Sequence, residues 1–508
     1  MKHLAKLFDT PLKVILLLVI GWVICANLFF GINLPRTAIT IFLVIVFAVV
    51  ARGFLKKRPQ RLAKLKALVA RKWFYILVMT VVAVVGTVAR LSFLQYEYSP
   101  TYDPATFYYN AQSIAETGEL RERAFDTANA DIGDQIYFAT YPYEMNYTGL
   151  LAISNLVFGG GLLSVIMLNL ILDMVAGVLA FLIVRRLAPE RKWLPVLAGA
   201  MVFLNPFNVV FSALSLPIVA VNTLILLVIY IVVRIVQKSP ANYKIWQLFA
   251  LFAMLGIIMG IGNGFRPIFT VVLIAVVLLV AYLFIAKNIR GRSVMVSTAG
   301  AVVLMLVSFF ATTQLNFAVV DHYAGMPVAR NASGWALYVG SNIESSGKWG
   351  NQADIAVRHE LWEKYPSDAQ AVHDELTVLA KERYAKNGLM GNIGLYINKA
   401  FVAGGDQSSS MYNTSGLAGY IHTLAYEITK EIAEVFILVL CVMIIINVVR
   451  NWGRGSLAVW ILLALIVIGF FAGGLFVEVK NRYFTIFLPA MILLATYCLR
   501  KLVAGDKT

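Results

Sequence analysis

Apolar runs of about 20 residues, the length a helix needs to cross a bilayer, recur along this chain from end to end. They fall at roughly 12–30, 37–54, 73–94, 162–184, 193–213, 217–236, 246–262, 268–287, 293–318, 431–450, 456–477 and 483–500. A chain of 508 residues that is 60% hydrophobic and 14% charged has too little polar surface for a soluble fold of that size. The expectation is an all-α polytopic membrane protein of about twelve helices. The run from Leu12 to Phe30 has no small-residue cleavage site after it and reads as a retained anchor.

The net charge of +16 is placed beside these runs. Nine Lys or Arg residues and no acid lie between Arg52 and Lys72, and further basic groups stand at Arg185-Arg186, Arg191-Lys192, Lys238, Lys287 to Arg292, Arg450 to Arg454 and Arg500-Lys501. With the amino terminus inside, every cluster falls on the cytoplasmic side, the positive-inside pattern. Attraction to anionic lipid is a secondary effect, and nucleic acid is not an expected partner.

Two hydrophilic segments remain, both outside: about Gln95 to Asn146 and about Val320 to Lys430. The division expected is a hairpin and basic linker over 1–72, a membrane core over 73–320 with a first outer loop at 95–161, a loop or small subdomain over 321–430, and carboxy-terminal spans over 431–508. Tyr147 to Phe158 is too short to span and is read as a juxtamembrane or re-entrant helix closed by Gly159-Gly160-Gly161. In the second segment a charged helix-like stretch from Asp354 to Lys386 is broken at Pro366-Ser367-Asp368, with an N-cap there. His3, His359, His373 and His422 read as surface groups.

The stretch after the third run, from Ser99 to Gly118, reads as an amphipathic helix with Phe107, Ala111, Ile114 and Ala115 on one face. Asp103 opens it. A carboxylate there has two readings: a helix N-cap followed by Pro104 at the first helical position, or a general base facing an acceptor hydroxyl. Arg266 and Arg482 stand at predicted outer ends of spans, against the positive-inside bias, with Lys480 beside Arg482. They either snorkel to headgroups or bind a phosphate. Arg90 is assigned to the first of these, and Asp173 is the one deeply placed acid. Glu144 and His322, both on the outer face, are read as interfacial polar groups or as two ligands of a divalent cation. Tyr102, Tyr141, Glu144 and Tyr483 are candidate contacts to a sugar or an acceptor.

Several of these residues fall in a recognisable order. Asp103 is followed by Tyr137 to Leu151, the short helix ending at Gly159, Arg185-Arg186-Leu187, Asn205-Pro206, Gly264-Phe265-Arg266-Pro267, Asn481-Arg482-Tyr483-Phe484 and Leu488-Pro489. Over roughly residues 73–500 this series resembles the GT-C superfamily of glycosyltransferases that use polyprenyl-phosphate sugars, in the branch of protein mannosyltransferases and lipid A aminoarabinose transferases. The chain departs from that pattern in carrying Asp103-Pro104 where protein mannosyltransferases have an Asp-Glu pair, and Pro142-Tyr143-Glu144 in place of a doubled proline. Trp335 to Asn342 and Gly347-Lys348-Trp349-Gly350 look like uncharacterised Gram-positive relatives. The resemblance implies Asp103 as catalytic base in an inverting transfer from a polyprenyl-phosphate donor to a cell-envelope acceptor, and Arg266, Arg482 and Lys480 as phosphate ligands. It also implies a bacterial cytoplasmic membrane with the site on its extracytoplasmic face. A divalent cation held by Glu144 and His322 is the one cofactor it suggests. The alternatives are a lipid-linked sugar flippase and a glycan polymerase or ligase.

Overall fold

A computed structural model describes residues 2–28, 72–121, 134–286, 291–405, 416–452 and 458–502, together with Ile289, Met411 and Thr414. These fold into helices: α1 (Lys2–Ala26), α2 (Lys72–Leu91), α3 (Asp103–Thr117), α4 (Asp134–Thr140), α5 (Met145–Phe158), α6 (Gly161–Leu187), α7 (Trp193–Phe203), α8 (Pro206–Phe211) and α9 (Ile218–Lys238). They continue as α10 (Ile245–Asn263), α11 (Phe269–Ile285), α12 (Arg292–Ala324), α13 (Gly334–Gly340), α14 (Gln352–Lys364), α15 (Ala369–Gly404), α16 (Leu424–Arg450), α17 (Ala458–Phe476) and α18 (Leu488–Leu502). Among the described residues the only β-type pairing is one isolated antiparallel bridge, between Tyr98 and Leu417.

Among the described residues eight helices are long and apolar enough to cross a bilayer, and they make this a multi-pass membrane protein. Three more expected spans are present as shorter apolar helices, at Trp193–Phe203, Phe269–Ile285 and Asn481–Thr496. The expected span at 37–54 lies outside the described residues. Lipid-facing surface is plain on α2, where Val81, Val84, Val85 and Val88 are exposed along one side. Arg185, Arg186, Lys238 and Arg450 lie in the last turns of their helices, and Arg292 opens α12.

The run expected to span 193–213 is two helices. Pro206 has no N–H to continue α7, and Asn205 turns its side chain to accept from the Phe207 N–H at 3.2 Å, capping α8. That break aims Asn208 back into the bundle, where its amide donates to Asp173 at 2.7 Å. The other Asp173 oxygen is bonded by Arg90, which is fully buried, also donates to the Phe203 carbonyl at 2.8 Å, and lies over the Phe203 ring. Arg90 therefore does not snorkel to headgroups: it neutralises Asp173 and ties α2 to α6. An isolated carboxylate at that depth would cost several kcal/mol. Paired and fully hydrogen-bonded, Asp173 is a structural fixture rather than a free site for an ion in transit.

The first helix, expected as half of an added hairpin, is packed into the bundle. Lys13 and Asp9 form a buried ion pair at 2.6 Å, and Lys13 also donates to the Asn451 carbonyl at 3.0 Å. Trp22 meets Phe401 with ring centroids 4.6 Å apart.

The second hydrophilic segment is helical, with its break where Pro366 to Asp368 predicted it. Asn351 caps α14 through the N–H groups of Ala353 and Asp354, and Asp368 caps α15 through Ala371 at 2.9 Å. His373, expected at the surface, is fully buried. Its Nδ1 accepts from the Trp335 N–H at 3.3 Å, so Nε2 carries the proton and donates to the Thr140 carbonyl at 3.0 Å. Burial holds the ring down to about 4, so it is neutral at physiological pH and acts as a linker of α4, α13 and α15.

Candidate active site

The helix opened by Asp103 is positioned by a polar clamp below it. Tyr98 donates to Ser215 Oγ at 2.8 Å, and Ser215 donates to the Pro104 carbonyl at 2.6 Å, fixing the first turn of α3 against the loop before α9. The Tyr98–Leu417 bridge holds the same strand of chain from the other side, with Ser99 N–H bonded to the Gly416 carbonyl at 2.7 Å. Phe107 and Ala111 are fully buried and Ile114 and Ala115 partly so, the face anticipated from the spacing.

Asp103 is not used as a cap. Tyr102 occupies the N-cap position with no side-chain hydrogen bond to the helix, at φ 56° and ψ −143°, a region costing about 1–3 kcal/mol for a residue other than glycine. That backbone turn points the Asp103 carboxylate away from its own helix and onto Arg482, with which it forms an ion pair. Arg482 lies in a 3-10 segment, Asn481–Phe487, that leads into α18. Its carbonyl accepts from Thr485 Oγ1 at 2.7 Å, and Asn222 of α9 reaches the Thr485 carbonyl at 3.5 Å.

Around this pair is a polar cavity of about 410 Å³. It is lined by Tyr102, Asp103, Tyr141, Glu144, Arg266, Lys480, Arg482 and Tyr483, so the sequence-predicted candidates converge with the exception of His322. The juxtamembrane helix follows directly on Glu144, which lines the cavity. It runs from Met145 to Phe158 and stops at Gly159, whose φ of +82° is a left-handed helix end. Its outward residues Ile153, Leu156 and Val157 are exposed apolar groups, as an interfacial helix requires. Asn146 at its start donates to the Ile261 carbonyl at 3.2 Å. Any side chain at Gly264 would collide with Asn146, its built Cβ falling 2.1 Å from Asn146 Nδ2, so a glycine there permits α5 and the end of α10 to meet.

Arg266 lies over the Tyr483 ring at 5.2 Å, and the Nε groups of both Arg266 and Arg482 are buried with no hydrogen-bond acceptor. Lys480 pairs with Glu478 at 2.9 Å. Glu144 accepts from the Tyr137 hydroxyl at 2.6 Å.

The two carboxylates are driven apart electrostatically. Burial alone would raise Asp103, but the charges of Arg482, Lys480 and Arg266 outweigh it and hold the carboxyl well below the usual carboxylate range. Glu144 is raised to about 7, first by burial and then by the negative charge of Asp103. Neighbouring acids held in opposite directions are a pattern of sites that move protons.

No protein-family model matches the chain, and no curated protein does. The site is therefore read on its own chemistry.

A second cavity, of about 470 Å³, adjoins the first. Its walls are mostly apolar: Ile268 just before α11 and Val271 within it, Phe317 from α12, Phe470, Phe471 and Val477 from α17 and its end, and Phe484, Ile486 and Phe487. The two cavities share Tyr141, Tyr143, Glu144, Arg266, Trp335, Glu478, Val479, Lys480 and Tyr483. Cations thus stand where an apolar groove opens into a polar pocket.

The structure adds residues that the sequence reading did not assign to the site. Lys348, Trp349 and Arg358 enter the cavity from the second hydrophilic segment. Arg358 lies over Trp335 at 4.9 Å and is bonded to the Tyr141 hydroxyl, which burial pushes up to about 12 against that guanidinium. A tryptophan set between glycines, in Gly347-Lys348-Trp349-Gly350, was the available signal. His322 packs edge-on against Tyr323 and lies outside the linings of both cavities. Among the described residues no group of three or more His, Cys, Asp or Glu is gathered to hold a metal. Glu144 lines both cavities and His322 lines neither, so the mechanism proposed for the site uses no metal.

Proposed function

We propose that this chain is a membrane glycosyltransferase of GT-C type, taking a sugar from a polyprenyl-phosphate carrier and passing it, with inversion, to a cell-envelope acceptor on the extracytoplasmic face of a bacterial cytoplasmic membrane. One observation carries the reading: Arg266 and Lys480 stand where the apolar groove meets the polar pocket, Arg482 lines the pocket beside them, and the Nε groups of both arginines are buried and unbonded. An amphiphile with a long hydrocarbon tail and an anionic head fits that junction. Guanidinium groups offer paired donors to phosphate and stabilise the charge that grows on it as the sugar leaves.

In this reading the acceptor hydroxyl gives its proton to Asp103 and its oxygen attacks the anomeric carbon from the side opposite the phosphate. The carbon–oxygen bond to phosphate breaks, and polyprenyl phosphate departs held by the arginines. Asp103 is a poor base while Arg482 and its neighbours depress it. An arriving phosphate shares those cations, so donor binding itself raises the basicity of Asp103. Glu144, straddling neutrality, controls how much negative charge the phosphate meets.

The test uses purified protein in lipid nanodiscs with a panel of radiolabelled polyprenyl-phosphate sugars and an envelope extract. Release of polyprenyl phosphate with label transferred to the extract is the expected result. Passage of the intact sugar-lipid across the bilayer with no product would replace this reading with a flippase.

The Glu144 charge gives a pH dependence. Its carboxyl is neutral below about 7 and anionic above. Donor KM is therefore expected to rise several-fold as pH increases through that value, because a buried carboxylate repels the phosphate at short range. In Glu144→Gln the donor KM loses this rise. A slope that persists in the variant would assign it to another group.

A further inference from the structure

The groove and the cations account for one substrate and leave one wall of the polar cavity without a role. That wall is aromatic and belongs to two different segments. Tyr102 comes from the first loop and Trp349 from the second, with ring centroids 6.2 Å apart and planes at 76°. Neither lines the apolar groove, and neither do Asp103 or Arg482. The pair thus stands on the side of the proposed base that faces away from the donor's hydrocarbon tail.

The backbone beneath both rings is held in place. Tyr102 keeps its strained backbone, with its carbonyl accepting from the N–H groups of Ala105 and Thr106 at 2.9 and 3.2 Å, yet its side chain is 51% exposed. Trp349 is half-buried at the end of a tight loop. In that loop Ser346 also has positive φ, Gly347 donates to the Asn342 carbonyl at 2.9 Å, and Val479 donates to the Gly347 carbonyl at 3.0 Å. Lys480 lies 5.7 Å from the Trp349 ring centre and takes part in the donor junction, so the ring is one residue's reach from both substrates. Strain tolerated at a half-exposed aromatic directly before the candidate base is the kind of feature that persists at ligand clamps.

We propose that Tyr102 and Trp349 are a clamp for the acceptor, and that the acceptor is a carbohydrate chain. This rests on the transferase reading given above. A pyranose or furanose ring presents a face of C–H groups and a rim of hydroxyls. A pair of rings near a right angle offers it one aromatic face and one aromatic edge, with polar groups at the rim. Here the rim is Lys348, Asn481 and Asp103, the last placed to meet a hydroxyl of the clamped sugar. A lipid acceptor would be drawn to the groove, which these rings do not enter. An extended peptide commonly docks by adding to a sheet edge, and the described residues offer no strand at the cavity for it to join.

Saturation-transfer NMR on the protein in nanodiscs tests this with maltotriose, chitotriose, α-mannotriose and a Ser/Thr-rich peptide as probes. Expected is transfer to the ring C–H protons of at least one trisaccharide. Its binding should weaken about tenfold in Trp349→Ala and in Tyr102→Ala, and much less in Trp349→Phe, which keeps an aromatic face. A melting curve for each variant separates lost binding from lost folding, and the phenylalanine variant keeps the test open if the alanine variant unfolds. Peptide binding without sugar binding, silence from every trisaccharide, or sugar binding that is unaltered in folded Trp349→Ala would each overturn the clamp. Donor turnover on the same samples distinguishes the two readings. Label passing to peptide sinks the carbohydrate acceptor and leaves the transferase. Clamped sugar with no donor consumption does the reverse.

Discussion

Asp103→Asn lowers transfer about a thousandfold, the scale of removing a general base, with the protein still folded. The substitution suits the question because an amide oxygen still accepts from Arg482, so the ion pair becomes a neutral hydrogen bond rather than a gap. The clamp of Tyr98 and Ser215 on α3 does not involve the side chain and keeps the helix in place. What disappears is the capacity to take a proton. The charge also bears on stability. Because the Asp103 carboxyl is depressed in the folded protein, its stabilising contribution is complete at neutral pH and is lost only as pH falls through that depressed value. At neutral pH the variant therefore shows a modest drop in melting temperature alongside a near-total loss of polyprenyl phosphate release. Activity within tenfold of the unmodified protein would take Asp103 out of the chemistry and leave its pairing with Arg482 as a structural matter.

Apolar periodicity was readable because lipid imposes one requirement on every spanning segment, that backbone groups bond within it. Hence the helical class, the positions of most spans and the juxtamembrane helix could be read from the order of residues. The pairing of Arg90 with Asp173 could not. The residues lie 83 positions apart, and only the turn at Asn205-Pro206 brings Asn208 round to complete their partners. His373 misled for a related reason: a histidine in a charged helix looks solvated unless the contacts with Thr140 and Trp335 are known. Within the site, Asp103, Arg266, Lys480 and Arg482 were visible as charges at helix ends against the local bias. Lys348, Trp349 and Arg358 were not, because their place depends on how the second hydrophilic segment folds over the bundle. Asp103 before proline also carried a misleading local signal. The tertiary ion pair with Arg482 prevailed over the cap, at the expense of backbone strain in Tyr102.

Arg266→Ala and Arg482→Ala both weaken use of the donor, but they fail differently. Each removes a guanidinium from the polar pocket, and kcat/KM for the donor is expected to fall about 100- to 1,000-fold in either case. Lysine in place of arginine restores only part of this, since one ammonium does not reproduce paired donors to phosphate. Arg482 carries a second duty. It is the largest of the charges that hold Asp103 ionised. Without it, burial pushes that carboxyl upward, and a protonated Asp103 accepts nothing. Activity of Arg482→Ala should therefore collapse further on the acid side and recover in part as pH rises, an acid limb that Arg266→Ala shows much more weakly. The measurement is the pH profile of polyprenyl phosphate release by the two variants, at saturating donor. Matching profiles would mean that Arg482 serves the phosphate alone and that the proton-accepting group lies elsewhere in the pocket, with Glu144 next in line because its carboxyl ionises near neutrality.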